Sequence, residues 1–406
     1  MIKGLYETNN QVKLLLFGIL LVNAGYFMIL PFIGLYLTSK LSFSVFQTGV
    51  ILTILTICQW SMGFFSGIFS DKYGHKLMIL LGVLIRIIGF LLFILPKSFI
   101  IFILAAFLIG TGGAMYSISS KALLVTISDT EKATVFALRS TAVNMGAAIG
   151  PLLGWYLFKT SFLLTFIITA GAHVIFLLLI LKHLVNIEKA ITDKSKPNIF
   201  KNFSLVVKDR NILFFFLLCI IFWTLYNQLY FTIPLIIKDQ YNISSDLGIF
   251  FTINSVMIIC FQYIIIKKAS AKLSELGIIT LGIILLSLSF CIPIIGNHYY
   301  AMYGFIIFFT FAEILIIPTI DTYTGSYAKP ALLSSYLGFI SISGGIGGLL
   351  GNTFGGTIYT YLKKNEDVWT IWFVFLSIAV ILLLLIIRYK ILVVKQEHTK
   401  VRTGSD

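Results

Sequence analysis

A chain of 406 residues in which 58% are hydrophobic and only 11% charged, with a mean hydropathy of +0.99, carries too much apolar surface to close into a water-soluble globule of ordinary composition. Its formal charge of +14 is accounted for by membrane topology and attraction to anionic lipid headgroups, so no nucleic-acid partner is needed to explain it. Lipid is part of the solvent this chain requires.

Twelve apolar stretches are read as helices long enough to cross a hydrocarbon core of roughly 30 Å. They fall near 14–37, 46–69, 76–96, 99–127, 133–158, 161–182, 211–237, 246–267, 273–295, 299–322, 332–361 and 368–389. The first follows a polar leader with Lys3, Glu7 and Lys13 and no small-residue cleavage site, so it is read as a retained helix. An even number of spans puts both termini on one side. Basic loops stay on the cytoplasmic face, and most of the 30 Lys and Arg fall on the N-terminal side of the membrane, against Lys40, Lys97, Lys159, Lys238, Lys363 and Lys364 in the opposite loops. This predicts a multi-pass protein of a bacterial inner membrane with cytoplasmic termini.

The longest polar stretch lies between spans six and seven and divides the chain into a six-helix bundle at 1–183, a cytoplasmic linker at 184–210, a second six-helix bundle at 211–390 and a cytoplasmic tail at 391–406. The fold class expected is therefore all-α and membrane-embedded. The fifth span of each half is glycine-rich: Gly146, Gly150, Pro151 and Gly154 in one, and Gly344, Gly345, Gly347, Gly348, Gly351, Gly355 and Gly356 in the other. Generic glycine packing explains either run alone, whereas their matching positions point to a repeated half. Cys58, Cys219, Cys260 and Cys291 lie in spans without paired or metal-like spacing, so they are read as packing residues, and no disulfide, metal or cofactor is expected.

Between spans two and three, Gly67, Asp71, Gly74 and Lys76, with Lys72 beside them, combine a tight turn, a carboxylate and bases. The segment resembles the G-x-x-x-D-x-x-G-x-K/R loop signature of the major facilitator superfamily. That resemblance implies two pseudo-symmetric six-helix bundles and an Asp71 that caps a helix end in the opposite half, biasing an alternating-access equilibrium. The matching loop of the second half keeps Lys267, Lys268 and Lys272 but lacks the Asp and the glycines. A plain basic loop with turn-forming glycines is the alternative.

Span five resembles the G-x-x-x-G-P-x-x-G-G signature of exporters and drug:proton antiporters in that superfamily, matched by Gly146, Gly150, Pro151 and Gly154, with Trp155 at the final glycine. A third antiporter signature expects an Arg in span four; the chain has Ala106 there, and Lys121 further along does not share its geometry. By the same resemblance, spans one, four, seven and ten line a central cavity. This nominates Asn23, Lys121, Trp223, Tyr226, Asn227, Gln228 and Glu313, with Arg139 as a second cation that pairs with Lys121 to receive an anion; snorkelling of Lys121 to the interface is the competing account. Arg86, in the peripheral span three, receives no ligand role.

Ionisable groups inside spans are costly and therefore candidate functional sites. The first-half spans contain no acid, and the second half has Glu313 inside span ten and Asp321 near its cytoplasmic end. Glu313 with Pro318 resembles the span-ten carboxylate and proline of some antiporters, where the Glu takes part in proton coupling; a purely structural hydrogen bond from Glu313 is the alternative. His173, the one histidine within a span, is read as a satisfied packing residue. The chain has no G-x-x-x-x-G-K-S/T, G-x-S-x-G or H-E-x-x-H, so nucleotide hydrolysis and the common hydrolase chemistries are not expected, and the chain is not read as an enzyme.

The expectation is a secondary transporter, functional as a monomer, that exports a small amphipathic compound in exchange for protons. Two other transport readings remain, a specific exporter of an anionic metabolite such as a carboxylate siderophore and an uptake symporter. From another class, a non-transporting sensor on the same scaffold is the alternative.

Overall fold

A computed structural model describes residues 8–95, 98–183, 199–241, 247–296 and 298–403, and among these the chain is helical with no strand. The leader at 1–7, most of the expected linker at 184–198 and the end of the tail at 404–406 lie outside the described residues.

Several helix ends are set by local chemistry. α1 (Asn10–Ile29) opens at Asn9, whose side chain accepts from the N–H of Val12 at 2.9 Å and donates to the carbonyl of Ile127 at 2.6 Å. It ends before Pro31, which has no N–H to continue the ladder, and a short α-helical stretch, Ile33–Leu35, and a wider turn, Tyr36–Lys40, complete the first span. The continuous helix expected over 14–37 is thus broken. α2 (Val45–Tyr73) begins in a capping box: Ser44 Oγ accepts from the N–H of Gln47, and Gln47 Oε1 accepts from the N–H of Ser44. Gly74, at φ 101°, makes the turn into α3 (His75–Leu92) in a backbone region that favours glycine. α4 (Phe99–Ile127), α5 (Lys132–Thr160) and α6 (Leu163–His183) complete the first half.

Within the linker region, α7 (Ile199–Lys208) is helical. α8 (Arg210–Tyr226) is capped by Asp209 and, like α1, gives way to a tight turn, here Asn227–Leu229, before α9 (Thr232–Tyr241) resumes. Pro234 falls in the first turn of α9, where a missing N–H costs nothing. α10 (Leu247–Ser270), α11 (Glu275–Ile295), α12 (Ala301–Tyr327), α13 (Leu333–Lys364) and α14 (Ile371–Thr403) follow.

Among the described residues, eleven helical stretches are long and apolar enough to cross a membrane. α5 is the other expected span. At 29 residues it has the length, but Arg139, Ser140, Thr141 and Asn144 interrupt its aliphatic character.

The chain forms two compact units. Unit 1 comprises Met1–Ser204 with Thr324–Ile342, and unit 2 comprises Leu205–Tyr323 with Ser343–Asp406, so α12 and α13 each contribute residues to both.

In unit 1, α5 lies on α1 through a glycine seam. A Cβ added at Gly146 would meet the backbone N of Ala24 at 2.7 Å, one at Gly150 the carbonyl of Ala24 at 2.6 Å, and one at Gly154 the carbonyl of Met28. In unit 2, Gly347, Gly351 and Gly355 of α13 lie in the same way on Ile220, Thr224 and Gln228 of the α8 region. The fifth helix of each half therefore packs on the first helix of its own half. α3 and α4 close on each other through Gly82, Gly89 and Gly112.

Of the four cysteines, Cys58 and Cys219 are buried as expected of packing residues, whereas Cys260 is exposed and does not pack inside the protein.

Candidate functional site

Unit 1 contains a carboxylate clamp at the start of α13. The helix begins just after Pro330–Leu332, and its first turn offers N–H groups that have no partner within the helix. Asp71, near the end of α2, takes them: Oδ1 accepts from the N–H of Ser334 at 2.9 Å, and Oδ2 from the N–H of Ser335 at 2.7 Å and its hydroxyl at 2.6 Å. The negative charge at a helix N-terminus is favourable in its own right.

His75 extends the clamp, its Nδ1 lying 2.9 Å from Ser70 Oγ and 3.2 Å from Ser334 Oγ. The close approach depends on glycine. A Cβ at Gly67 would run into the backbone of Ser334, and Gly63 and Gly338 meet at backbone contact one and two turns away. Lys132 adds a hydrogen bond from Nζ to the carbonyl of Gly325 at 2.8 Å. Lys72 lies over the Tyr73 ring, and Lys76 is half-buried. Four residues of the loop pattern thus have distinct tasks: Gly67 permits contact, Asp71 caps, Gly74 turns and Lys76 carries charge. Ser334, Ser335 and His75 were not singled out from sequence; a Ser-Ser pair behind Pro330 is the signal of a helix start that would have pointed to the first two.

Unit 2 holds the buried acid. Glu313 on α12 is 6% exposed and both its oxygens are engaged: Oε1 accepts from Tyr226 Oη at 2.8 Å and Oε2 from Asn254 Nδ2 at 2.7 Å. Asn254, on α10, also donates to Thr310 Oγ1 at 3.1 Å, and Thr310 is anchored on the carbonyl of Ile306. Tyr226 Oη lies 3.2 Å from Tyr230 Oη, and Tyr230 is 50% exposed. Glu313, Tyr226 and Tyr230 therefore form a chain of three hydroxyl or carboxyl groups within the unit. Aromatic rings enclose them: Tyr226 stacks with Phe309 and meets Trp223 edge-on, and Tyr230 stacks with Phe251. Asn254, Thr310 and Tyr230 were missed in the sequence, although an amide in the middle of an apolar span carries the same kind of signal as an acid there.

The other nominated residues divide. Gln228 is buried and fully used between helices: Nε2 donates to the carbonyls of Thr224 and Gly351, and Oε1 accepts from Thr232. Asn227 donates to the carbonyl of Trp223 at 2.7 Å, and Asn23 to that of Ile19 at 2.7 Å. Arg139 donates from Nη2 to Ser117 Oγ at 3.1 Å, while its Nε is buried without a partner. Lys121 and Asp321 are both half-buried. Among the described residues no group of His, Cys, Asp and Glu is placed to hold a metal ion.

Two residues behave differently from expectation. Arg86 is not peripheral within its bundle: it lies on the same face of α3 as Gly82 and Gly89, the face that closes on α4, and is only 4% exposed. Its guanidinium stands 4.8 Å from the Tyr26 ring centroid and 5.5 Å from that of Phe90. His173 is fully buried but only half satisfied, with Nδ1 2.7 Å from the carbonyl of Thr169 and Nε2 without a partner.

The geometry is that of helices seamed by glycine around a few buried polar groups, and comparison with known proteins places it. Residues 15–352 match the model of the Major Facilitator Superfamily. The chain is 28% identical over 347 residues to the multidrug resistance protein MdtH of Photorhabdus laumondii subsp. laumondii, covering 85% of this chain and 86% of that one. It is 25% identical over 370 residues to MdtH of Yersinia enterocolitica, covering 91% and 92%. Among solved structures, a bacterial homologue of the iron transporter ferroportin in an outward-facing state superposes with a TM-score of 0.76 at 13% identity, covering 94% of this chain and 100% of that one. The E. coli fucose:proton symporter superposes with a TM-score of 0.75 at 14% identity, covering 93% and 98%. This multi-pass membrane protein therefore belongs to the major facilitator superfamily, a family of transporters rather than enzymes.

Proposed function

We propose that the chain is a bacterial inner-membrane exporter of small amphipathic, drug-like compounds that exchanges them for protons by alternating access, with both termini cytoplasmic. The relatives named multidrug resistance protein support the cargo class. The observation that carries the proton reading is Glu313, enclosed between Tyr226 and Asn254.

In this reading the ionised carboxylate accepts from both partners. On protonation at Oε1, the new O–H donates to Tyr226 Oη, and the Tyr226 hydrogen turns toward Tyr230 Oη, 3.2 Å away. Either state leaves the buried carboxyl hydrogen-bonded, which a proton carrier in an apolar interior requires. The hydroxyl relay carries the proton from Glu313 as far as the Tyr230 hydroxyl. Asp71 acts as a releasable cap: its three hydrogen bonds to Ser334 and Ser335 favour one state and are broken in the other. Asp321, at the cytoplasmic end of α12, is the second acid assigned to proton coupling.

The test is proton movement in liposomes containing the purified protein, triggered by a panel of amphipathic compounds. Proton flux opposite to substrate in the wild type, lost in Glu313→Gln, supports antiport through Glu313; unchanged flux in the variant removes Glu313 from coupling. A second reading, export of an anionic metabolite, draws on Arg139, whose Nε has no partner. Efflux of a labelled organic anion that survives Arg139→Ala and Lys121→Ala would remove it.

A further inference from the structure

The connection between α12 and α13 is gripped at both of its ends by residues of the first bundle. α12 ends at Tyr327 and α13 begins at Leu333, so only residues 328–332 lie between them. Ala328 and Leu332 of that connection are buried, while 329–331 are exposed. The stretch Thr324–Ile342 that contains it belongs to unit 1, although the rest of both helices belongs to unit 2.

The two helix ends need partners of opposite kind. The last turn of α12 presents carbonyls that no helical N–H reaches, and the first turn of α13 presents N–H groups that no helical carbonyl reaches. At α12, the carbonyl of Thr324 accepts from the N–H of Ala328 at 3.0 Å, and that of Gly325 accepts from Lys132 Nζ at 2.8 Å. At α13, Asp71 accepts from the N–H groups of Ser334 and Ser335. An ammonium therefore sits on the negative end of one helix and a carboxylate on the positive end of the next, each the favourable sign.

Lys132 stands at the start of α5 and Asp71 near the end of α2, so two different helices hold the hairpin. The positive-inside bias accounts for a lysine at this place in the chain, but not for one that is half-buried and bonded to a carbonyl 193 residues away. Phe136, one turn further along α5 and 1% exposed, supports the contact. A Cβ at Gly325 would lie 3.4 Å from Phe136 Cε2 and 3.7 Å from Leu333 Cδ1, so Gly325, Phe136 and Leu333 pack together between the two charged contacts.

We propose that Lys132 is a second latch of the cap, a positioning residue that keeps the start of α13 within reach of Asp71 by holding the end of α12. This rests on the reading of Asp71 as a releasable cap and extends it: the hairpin comes free only when both latches let go. A connection this short, packed at Gly325, Phe136 and Leu333, opens as one cooperative piece, so loosening at the end of α12 reaches the start of α13.

The experiment is amide hydrogen exchange of the purified full-length protein in detergent, read on peptides from the end of α12, from the start of α13 with Ser334 and Ser335, and from α6 as an internal control. Lys132→Met removes the donors and keeps the apolar stem. It is expected to speed exchange at both hairpin peptides by about three- to tenfold, the factor for one hydrogen bond of ordinary net strength, with α6 unchanged. Lys132→Arg, which still offers charged donors, is expected to stay near the wild-type rate. Faster exchange confined to the end of α12, with Ser334 and Ser335 as in the wild type, overturns the proposal, as does a Lys132→Arg rate equal to that of Lys132→Met. Equal acceleration of α6 also overturns it, because Lys132 would then support the whole bundle rather than the hairpin. Asp71→Asn separates this inference from the reading beneath it. If that variant speeds exchange at Ser334 and Ser335 and Lys132→Met does not, the releasable cap stands and the second latch falls; if neither does, both fall. Lys132→Gln is read in the same way if Lys132→Met does not fold.

Discussion

Asp71 and Ser335 are 264 residues apart in sequence and joined twice in space, the carboxylate Oδ2 accepting both the backbone N–H and the hydroxyl of the serine. Together with the N–H of Ser334, these contacts satisfy the start of α13. Asp71→Ala leaves those donors bare next to a Gly63 and Gly67 face too close-packed to admit a replacement side chain. A loss of about 1–3 kcal/mol is expected, seen as a lower unfolding midpoint, whereas Ser335→Ala removes only one of the three hydrogen bonds and should cost distinctly less. Equal midpoints for the two variants would mean that the backbone cap carries no weight.

Gly74 turns α2 into α3 at φ 101° and ψ 142°. Gly74→Ala forces a side chain into a region open essentially to glycine, at a cost of about 1–3 kcal/mol. Gly171, where an added Cβ meets nothing within 4 Å, is the matched control: Gly171→Ala should be neutral or stabilising, by up to about 1 kcal/mol. Unfolding of the two variants in parallel separates backbone strain from helix propensity.

The α1 to α5 seam can be tested in the same way. Gly150→Val places two methyl groups and a Cβ against the carbonyl of Ala24 and the Cβ of Phe27, and should destabilise unit 1 by about 1–3 kcal/mol or prevent accumulation of folded protein. The unit 2 counterpart is Gly347→Val, against Trp223 and Ile220. Fluorescence-detected gel filtration of both variants reports whether each half depends on its seam.

The relay from Glu313 predicts a graded series. Tyr226→Phe keeps the ring stacked on Phe309 but removes the hydroxyl that joins Glu313 Oε1 to Tyr230. Proton-coupled flux should fall by about tenfold, corresponding to about 1.4 kcal/mol. Tyr230→Phe, at the exposed end, should have a smaller effect, and Asn254→Ala, which frees Oε2, an intermediate one. Substrate binding by Tyr226→Phe measured apart from flux keeps a lost relay distinct from a lost binding surface.

Much of this architecture is written in local sequence. Apolar runs announce the helices, Gly74 announces a turn, and the glycine spacing of spans five and eleven announces the two seams, because each signal depends on residues close together in the chain. The interruption of the first helix of each half was harder to read: Pro31 marks one break, but Asn227–Leu229 holds no proline and the break there depends on packing. The partners of Asp71 and Glu313 depend on how distant helices meet, and nothing near Asp71 in sequence names Ser335. Arg86 shows the opposite difficulty. Span three is outlying in the expected fold, but a side chain on its glycine face points inward, so the face rather than the helix decides the environment.

The stretch Thr324–Ile342 belongs with the first bundle, although it is among the last parts of the chain to be made. Chains are synthesised from the N-terminus at ~5–20 residues per second, so the 264 residues between Asp71 and Ser335 correspond to a delay on the order of tens of seconds. Throughout that interval the carboxylate of Asp71 has no helix to cap, and the Gly63 and Gly67 groove has no helix to fill it. The nascent first half therefore stands in the bilayer without this cap until the eleventh span has been made, just as it does in the state of the proposed cycle in which the cap is released.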